Sequence, residues 1–129
     1  NVNLNIIPII LYIGAIFWTL GYDTIYGFQD IKDDEIIGIK SAAIKFKNNS
    51  NIFLFLCYLI LFISLIVVGI LMNFNKLYFL SLIIPFFHLF FFQMKNLEIK
   101  NPINCLVIFK SNNLLGLIIL INIIIGKVL

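Results

Sequence analysis

The sequence predicts an all-α fold, a multi-spanning transmembrane helical bundle, and three observations carry that prediction. Hydrophobic residues make up 62% of the 129-residue chain and charged residues 12%, with a mean hydropathy of +1.09, a balance that belongs to membranes. The apolar residues fall into four runs, about 4–22, 52–72, 77–94 and 114–129, each near the length that crosses a bilayer. Within each run they are continuous instead of alternating, which selects helices over the strands of a closed barrel. A soluble core of this length cannot hide so much Ile, Leu and Phe, so membrane lipid has to cover the rest.

The first run contains Pro8, expected to kink it, and Gly14 and Gly21, which share one helical face and leave room for a neighbouring helix. Residues 23–50 form an acidic loop. After the second run, the third carries Pro85 as a further kink and an aromatic stretch, Phe86 to Phe92, that extends through Gln93 and Met94. His88 lies three residues beyond Pro85, where freed carbonyls need donors. A structural role is expected for it ahead of a chemical one, although an ionisable group within a span is a functional candidate by default. Residues 95–113 read as a second polar loop. In the last run Asn122 is expected to hydrogen-bond between helices, and Lys127 to snorkel to the interface.

With four spans, the two long loops share one side of the membrane. They hold Lys32, Lys40, Lys45, Lys47, Lys95, Lys100 and Lys110, against Lys76 and Lys127 on the other side. The positive-inside rule puts both loops in the cytoplasm and the chain in the inner (cytoplasmic) membrane as a multi-pass protein. The net charge of +3 is no sign of nucleic acid as a partner. Cys57 and Cys105 have no ligand-like spacing, so neither a zinc site nor a disulfide framework is expected. The chain opens without Met and without a basic, cleavable leader, and is expected to begin mid-protein.

Five of the six acidic residues fall between Asp23 and Glu35. If the first helix continues into this stretch, Asp23, Asp30 and Asp34 lie within roughly 40° on one face. Asp30 and Asp34 are about 6 Å apart along the axis, while Asp23 and Asp34 are about 16 Å apart, so one ion can bridge only the first pair. Such i,i+4 like charges destabilise a bare helix, and a cation reverses the sign. Hard carboxylate oxygens in an incomplete shell suit Mg²⁺, which binds through one or two carboxylates plus substrate phosphates. The plainer alternative is a solvated loop whose acids pair with Lys32 and Lys40.

The string Tyr22-Asp23-Thr24-Ile25-Tyr26 … Asp30-Ile31-Lys32-Asp33-Asp34 … Ile37-Gly38-Ile39-Lys40-Ser41 resembles the second aspartate-rich motif, D-x-x-Y-x-x-x-D-x-x-x-D, of the UbiA family of intramembrane prenyltransferases. The trailing Ile-Gly-Ile-Lys-Ser looks like the 4-hydroxybenzoate branch. A second patch, Asn101-Pro102 … Cys105 … Phe109-Lys110-Ser111-Asn112-Asn113 … Gly116, is similar to the loop entering that branch's last helix. The chain departs from the pattern at Ala42-Ala43, where a Thr is usual, and it holds no counterpart of the family's first motif, N-D-x-x-D-x-x-x-D.

The resemblance implies about four helices of a roughly nine-helix fold. The chain is then the C-terminal portion of a longer, split or decayed enzyme, inactive without the missing N-terminal half. It implies Mg²⁺-dependent transfer of a polyprenyl group from an allylic diphosphate to 4-hydroxybenzoate in ubiquinone biosynthesis. Asp30 and Asp34 would ligate the metal, Asp23 and Tyr26 would act in catalysis, and Lys40 and Asn112 would contact diphosphate or substrate. Rival readings are a prenyltransferase of the same family with another acceptor, or a cation-transporter fragment. The latter expects ionisable groups deep within spans, whereas these acids gather at a boundary.

Overall fold

A computed structural model describes residues 6–28 and 50–128. Four helices, α1 (Ile6–Gly27), α2 (Ser50–Leu71), α3 (Lys76–Asn96) and α4 (Pro102–Val128), are long and apolar enough to cross a membrane, and no strand occurs among the described residues. Helix α1 packs against α2 and α4, while α3 packs against α4 and α2. Leu54, Leu61, Leu65, Leu89, Ile108 and Leu115 form the buried centre. Ile9, Tyr12, Ile52, Leu80, Ile103 and Val107 all face outward, an apolar surface that only lipid solvates cheaply.

The α1–α2 seam is built on the glycine stripe. A Cβ on Gly14 would overlap Ser64, and one on Gly21 would come within 2.8 Å of the Tyr58 ring, so the backbones meet closely because nothing larger stands there. Pro8 is the third described residue of α1, and the turn before it lies outside the described residues. Pro85 sits mid-span and leaves the Ser81 carbonyl without its i+4 donor. Asn122 of α4 supplies it, donating from Nδ2 to Ser81 O at 3.2 Å and to Ser81 Oγ at 2.8 Å. The expected interhelical role of Asn122 thus has a cause, the Ser81 carbonyl four residues before Pro85.

Beyond Pro85, α3 widens into a π-helical turn, His88–Gln93, before one last α turn, Met94–Asn96. The connection to α4 is short. Residues 102–113, expected in a polar loop, are helical, because Asn101 caps α4: its Oδ1 accepts from the backbone N–H groups of Ile103 and Asn104, both at 3.1 Å, and Pro102 needs no donor in the first turn. Asn104 then closes the turn, accepting from Glu98 N at 2.7 Å and donating to Asn96 O at 2.9 Å. At the opposite pole Asn75 caps α3 through Tyr78 N at 3.0 Å and reaches Ile125 O of α4 at 3.0 Å.

Candidate functional site

Of the residues singled out from sequence, Asp23, Tyr26 and Asn112 are described, whereas Asp30, Asp34 and Lys40 lie outside the described residues. Asp23 and Tyr26 stand on the last two turns of α1, which runs on past the apolar stretch to Gly27, and both are exposed. Their flanks are anchored: Ile25 and Phe28 are buried, and Thr24 Oγ1 donates to Leu20 O at 2.7 Å. The ring of Tyr26 packs on Phe109 of α4 at 4.7 Å between centroids, Phe109 meets Tyr22 edge-on at 5.7 Å, and Tyr22 meets Trp18 edge-on at 5.7 Å. An aromatic ladder therefore ties the Asp23–Tyr26 helix end to the first turns of α4.

The ladder borders a hollow of about 350 Å³ lined by Trp18, Tyr22, Phe109, Asn112, Asn113 and Gly116. Deeper along the same α1–α4 groove, a second hollow of about 270 Å³ shares Trp18 and Gly116 but is otherwise apolar, with Leu11, Ala15, Ile119 and Ile123 among its walls. Polarity thus falls from the helix ends inward. Three aromatic residues line the outer hollow, and the faces of such rings favour positive charge.

Asn112 lines this hollow, yet its amide is committed to the protein. Its Oδ1 accepts from Trp18 Nε1 at 2.9 Å and from Gln93 Nε2 at 3.0 Å, while its Nδ2 donates to Ile108 O at 3.3 Å, Phe109 O at 3.2 Å and Gln93 Oε1 at 3.4 Å. Gln93 is fully buried and just as occupied: its Oε1 also accepts from Tyr58 OH at 2.6 Å, and its Nε2 lies 3.1 Å from His88 Nδ1. The order of donors assigns Nδ1 of His88 as acceptor from Gln93 and the ring proton to Nε2, a buried nitrogen with no hydrogen-bond partner among the described residues. One neutral hydrogen-bonded network therefore joins all four helices through Trp18, Tyr58, Gln93 and Asn112. Sequence reasoning treated Gln93 only as the tail of an apolar run. The available signal was an amide within a span, which has to find a partner.

A divalent cation is tested by donor chemistry. Among the described residues no three His, Cys, Asp or Glu side chains come together. The carboxylates in them are Asp23 and Glu98. Asp23 offers hard oxygen donors at an exposed helix end, a fit to Mg²⁺ that needs further acids from residues 29–49. Both cysteines are buried and free.

These features define a multi-pass helical membrane protein with an aromatic, amide-walled hollow beside an exposed Asp-x-x-Tyr helix end. The chain belongs to the UbiA prenyltransferase family, whose model matches residues 2–120. It is 39% identical over 119 residues to the mitochondrial 4-hydroxybenzoate polyprenyltransferase of Dictyostelium discoideum, covering 92% of this chain and 26% of that protein. It is 40% identical over 122 residues to the 4-hydroxybenzoate octaprenyltransferase of Francisella tularensis subsp. mediasiatica, and 39% identical to that of subsp. novicida, each time covering 91% of this chain and 42% of the relative. The chain thus spans between about a quarter and two-fifths of the length of these curated relatives. No solved structure matches it significantly.

Proposed function

We propose that this chain is the C-terminal part of an intramembrane enzyme that moves a polyprenyl group from an allylic diphosphate to the ring of 4-hydroxybenzoate, a step of ubiquinone biosynthesis. The observation that carries the reading is the coincidence of the family match over residues 2–120 with an ungapped D-x-x-Y-x-x-x-D-x-x-x-D at Asp23, Tyr26, Asp30 and Asp34. Names of relatives at about 40% identity support the acceptor.

In this reading Asp30 and Asp34 hold Mg²⁺, with Asp23 at the membrane edge orienting acceptor or water. The ion, when bound, neutralises charge on the departing diphosphate. Lys40 offsets further phosphate charge. Tyr26, whose ring packs on Phe109, contacts the diphosphate or the allylic cation. The ring faces of Trp18, Tyr22 and Phe109 stabilise an allylic cation electrostatically, and the apolar groove behind them keeps water from quenching it. Attack by the acceptor carbon ortho to the phenol, followed by loss of that carbon's proton, restores the aromatic ring. The excess of lysine around the acidic stretch supports a cytoplasmic side for it in an inner membrane, where soluble acceptor would arrive.

The N-terminal half of the fold, carrying the first aspartate-rich motif, is the required partner. Co-expressing this chain with that half from one of the relatives is expected to give membranes that prenylate 4-hydroxybenzoate only with Mg²⁺ present, and Asp30→Asn or Asp34→Asn abolishes transfer. Full activity in both variants removes the metal assignment. Prenylation of a different aromatic, with none of 4-hydroxybenzoate, moves the chain to another branch of the family.

A further inference from the structure

The structure assigns to Gln93 the part of a positioning residue: its side-chain amide, paired reciprocally with Asn112 and held by Tyr58 and His88, fixes the Trp18 wall of the hollow beside Asp23 and Tyr26. The kinetic consequence rests on the prenyl-transfer reading, but the geometry does not.

Gln93 has no surface exposed, and both its carbonyl lone pairs and both its N–H groups have partners. An amide can present itself to a second amide in two ways, and the flanking groups choose one. The Trp18 indole can only donate and the Ile108 and Phe109 carbonyls can only accept, so Asn112 must turn Oδ1 to Trp18 and Gln93 must turn Nε2 to that oxygen, leaving Gln93 Oε1 to accept from Tyr58 OH at 2.6 Å. The oxygen of Asn112 then faces Gln93 Nε2, and the same oxygen is what the Trp18 indole N–H finds at 2.9 Å. The donor-acceptor order runs without a mismatch from α2 through α3 and α4 to α1.

This register depends on the π turn. Residues five apart on an α-helix are turned about 140° from one another, so His88 and Gln93 would not meet. The wider turn spanning His88–Gln93 brings their side chains to 3.1 Å. Rigid placement of Trp18 passes outward through ring contacts to Tyr22, Phe109 and Tyr26. Gln93 itself does not line the hollow, so it acts through Asn112 and Trp18.

Trp18 is the chain's single tryptophan, which makes the proposal testable without turnover. The chain is reconstituted in lipid vesicles, and its emission maximum and anisotropy are recorded for wild type, Gln93→Leu, Gln93→Asn, and the length swap Gln93→Asn with Asn112→Gln. Each single variant is expected to shift the emission and lower the anisotropy, because Asn112 loses its orienting partner. The swap keeps the summed length of the two side chains and is expected to return both signals to wild-type values. In the complemented enzyme, Gln93→Leu lowers kcat/KM about tenfold, the worth of roughly one buried hydrogen bond, and the swap recovers most of it. Gln93→Asn supplies the readout if Gln93→Leu does not assemble. Wild-type emission and anisotropy in a folded Gln93→Leu or Gln93→Asn chain, or failure of the swap to restore them, overturns the assignment. Altered fluorescence with no prenyl transfer by the wild type supports the lock and overturns the reaction instead.

Discussion

Exchanging small residues across the α1–α2 seam gives a measurement with two stages. Gly14→Ala puts a Cβ within 2.8 Å of the Ser64 Cβ and onto Ser64 Oγ, where carbon atoms prefer about 3.5–4.0 Å. The backbones must part by roughly 1 Å, a strain of about 1–3 kcal/mol in a filled interface. The alanine regains about 1 kcal/mol of helix propensity, leaving a net loss of about 0–2 kcal/mol, centred near 1 kcal/mol.

Ser64→Gly removes both obstructing atoms. Its hydroxyl donates only to Leu61 O at 2.7 Å, a carbonyl of its own helix, so little else is lost. In Gly14→Ala with Ser64→Gly the two propensity changes roughly cancel, and stability should return to within about 0.5 kcal/mol of wild type. Ser64→Ala keeps the Cβ and should rescue only part. The assay is reversible unfolding of the chain in mixed micelles, followed by Trp18 emission. Equal rescue by Ser64→Ala and Ser64→Gly would refute the claim that backbone proximity at Gly14 sets the seam.

Three further predictions follow from the same contacts. Asn122→Leu leaves Ser81 O without a donor and is expected to cost about 1–3 kcal/mol; adding Pro85→Ala restores a backbone N–H to that carbonyl and should make the Asn122 substitution nearly neutral in the same unfolding assay. Asn101→Ala removes the cap of α4 and should cost about 1 kcal/mol, seen as faster hydrogen exchange confined to residues 103–105. Removing divalent metal with EDTA should stop prenyl transfer by the complemented enzyme and Mg²⁺ should restore it, measured by incorporation of labelled acceptor into lipid; transfer that persists in EDTA refutes the metal dependence.

Legibility in the sequence followed the range of the interactions involved. The spans were readable because hydropathy is summed locally, and the Gly14–Gly21 stripe because seven residues bring a helix back to one face. The Pro85 defect was readable, and so was the need for a donor near it. That Asn122 is the donor follows only from how α3 and α4 lie together. The early start of α4 had a signal in Asn101-Pro102, an N-cap followed by a residue suited to the first turn, outweighed by the polar composition of 110–113. The Gln93–Asn112 pair left no periodic trace, because the π turn moves Gln93 off the face its sequence position implies. At the site, Asp23 and Tyr26 were legible as neighbours on one continuing helix, while the support they receive from Phe109, Tyr22 and Trp18 depends on the α1–α4 packing.

The division of labour between neutral and charged groups follows from the cost of burial. In the interior the amides of Gln93 and Asn112, the Tyr58 phenol and the Trp18 indole satisfy one another, whereas a carboxylate there would need a compensating charge. The acids accordingly begin where α1 leaves the bundle. Asp23 sits near the C-terminal end of that helix, with no basic residue in its last turn, so its charge faces the negative end of the helix dipole, a penalty of about 0.3–1 kcal/mol at an exposed site. Asp30, Asp33, Asp34 and Glu35 add like charge in the next residues of the sequence. A cation held beside these carboxylates turns the same repulsion into attraction. In the prenyl-transfer reading proposed above, the neutral lock does more than stabilise: it steadies the helix end beside which that charge gathers, and binding of a metal with its diphosphate is what would relieve the repulsion.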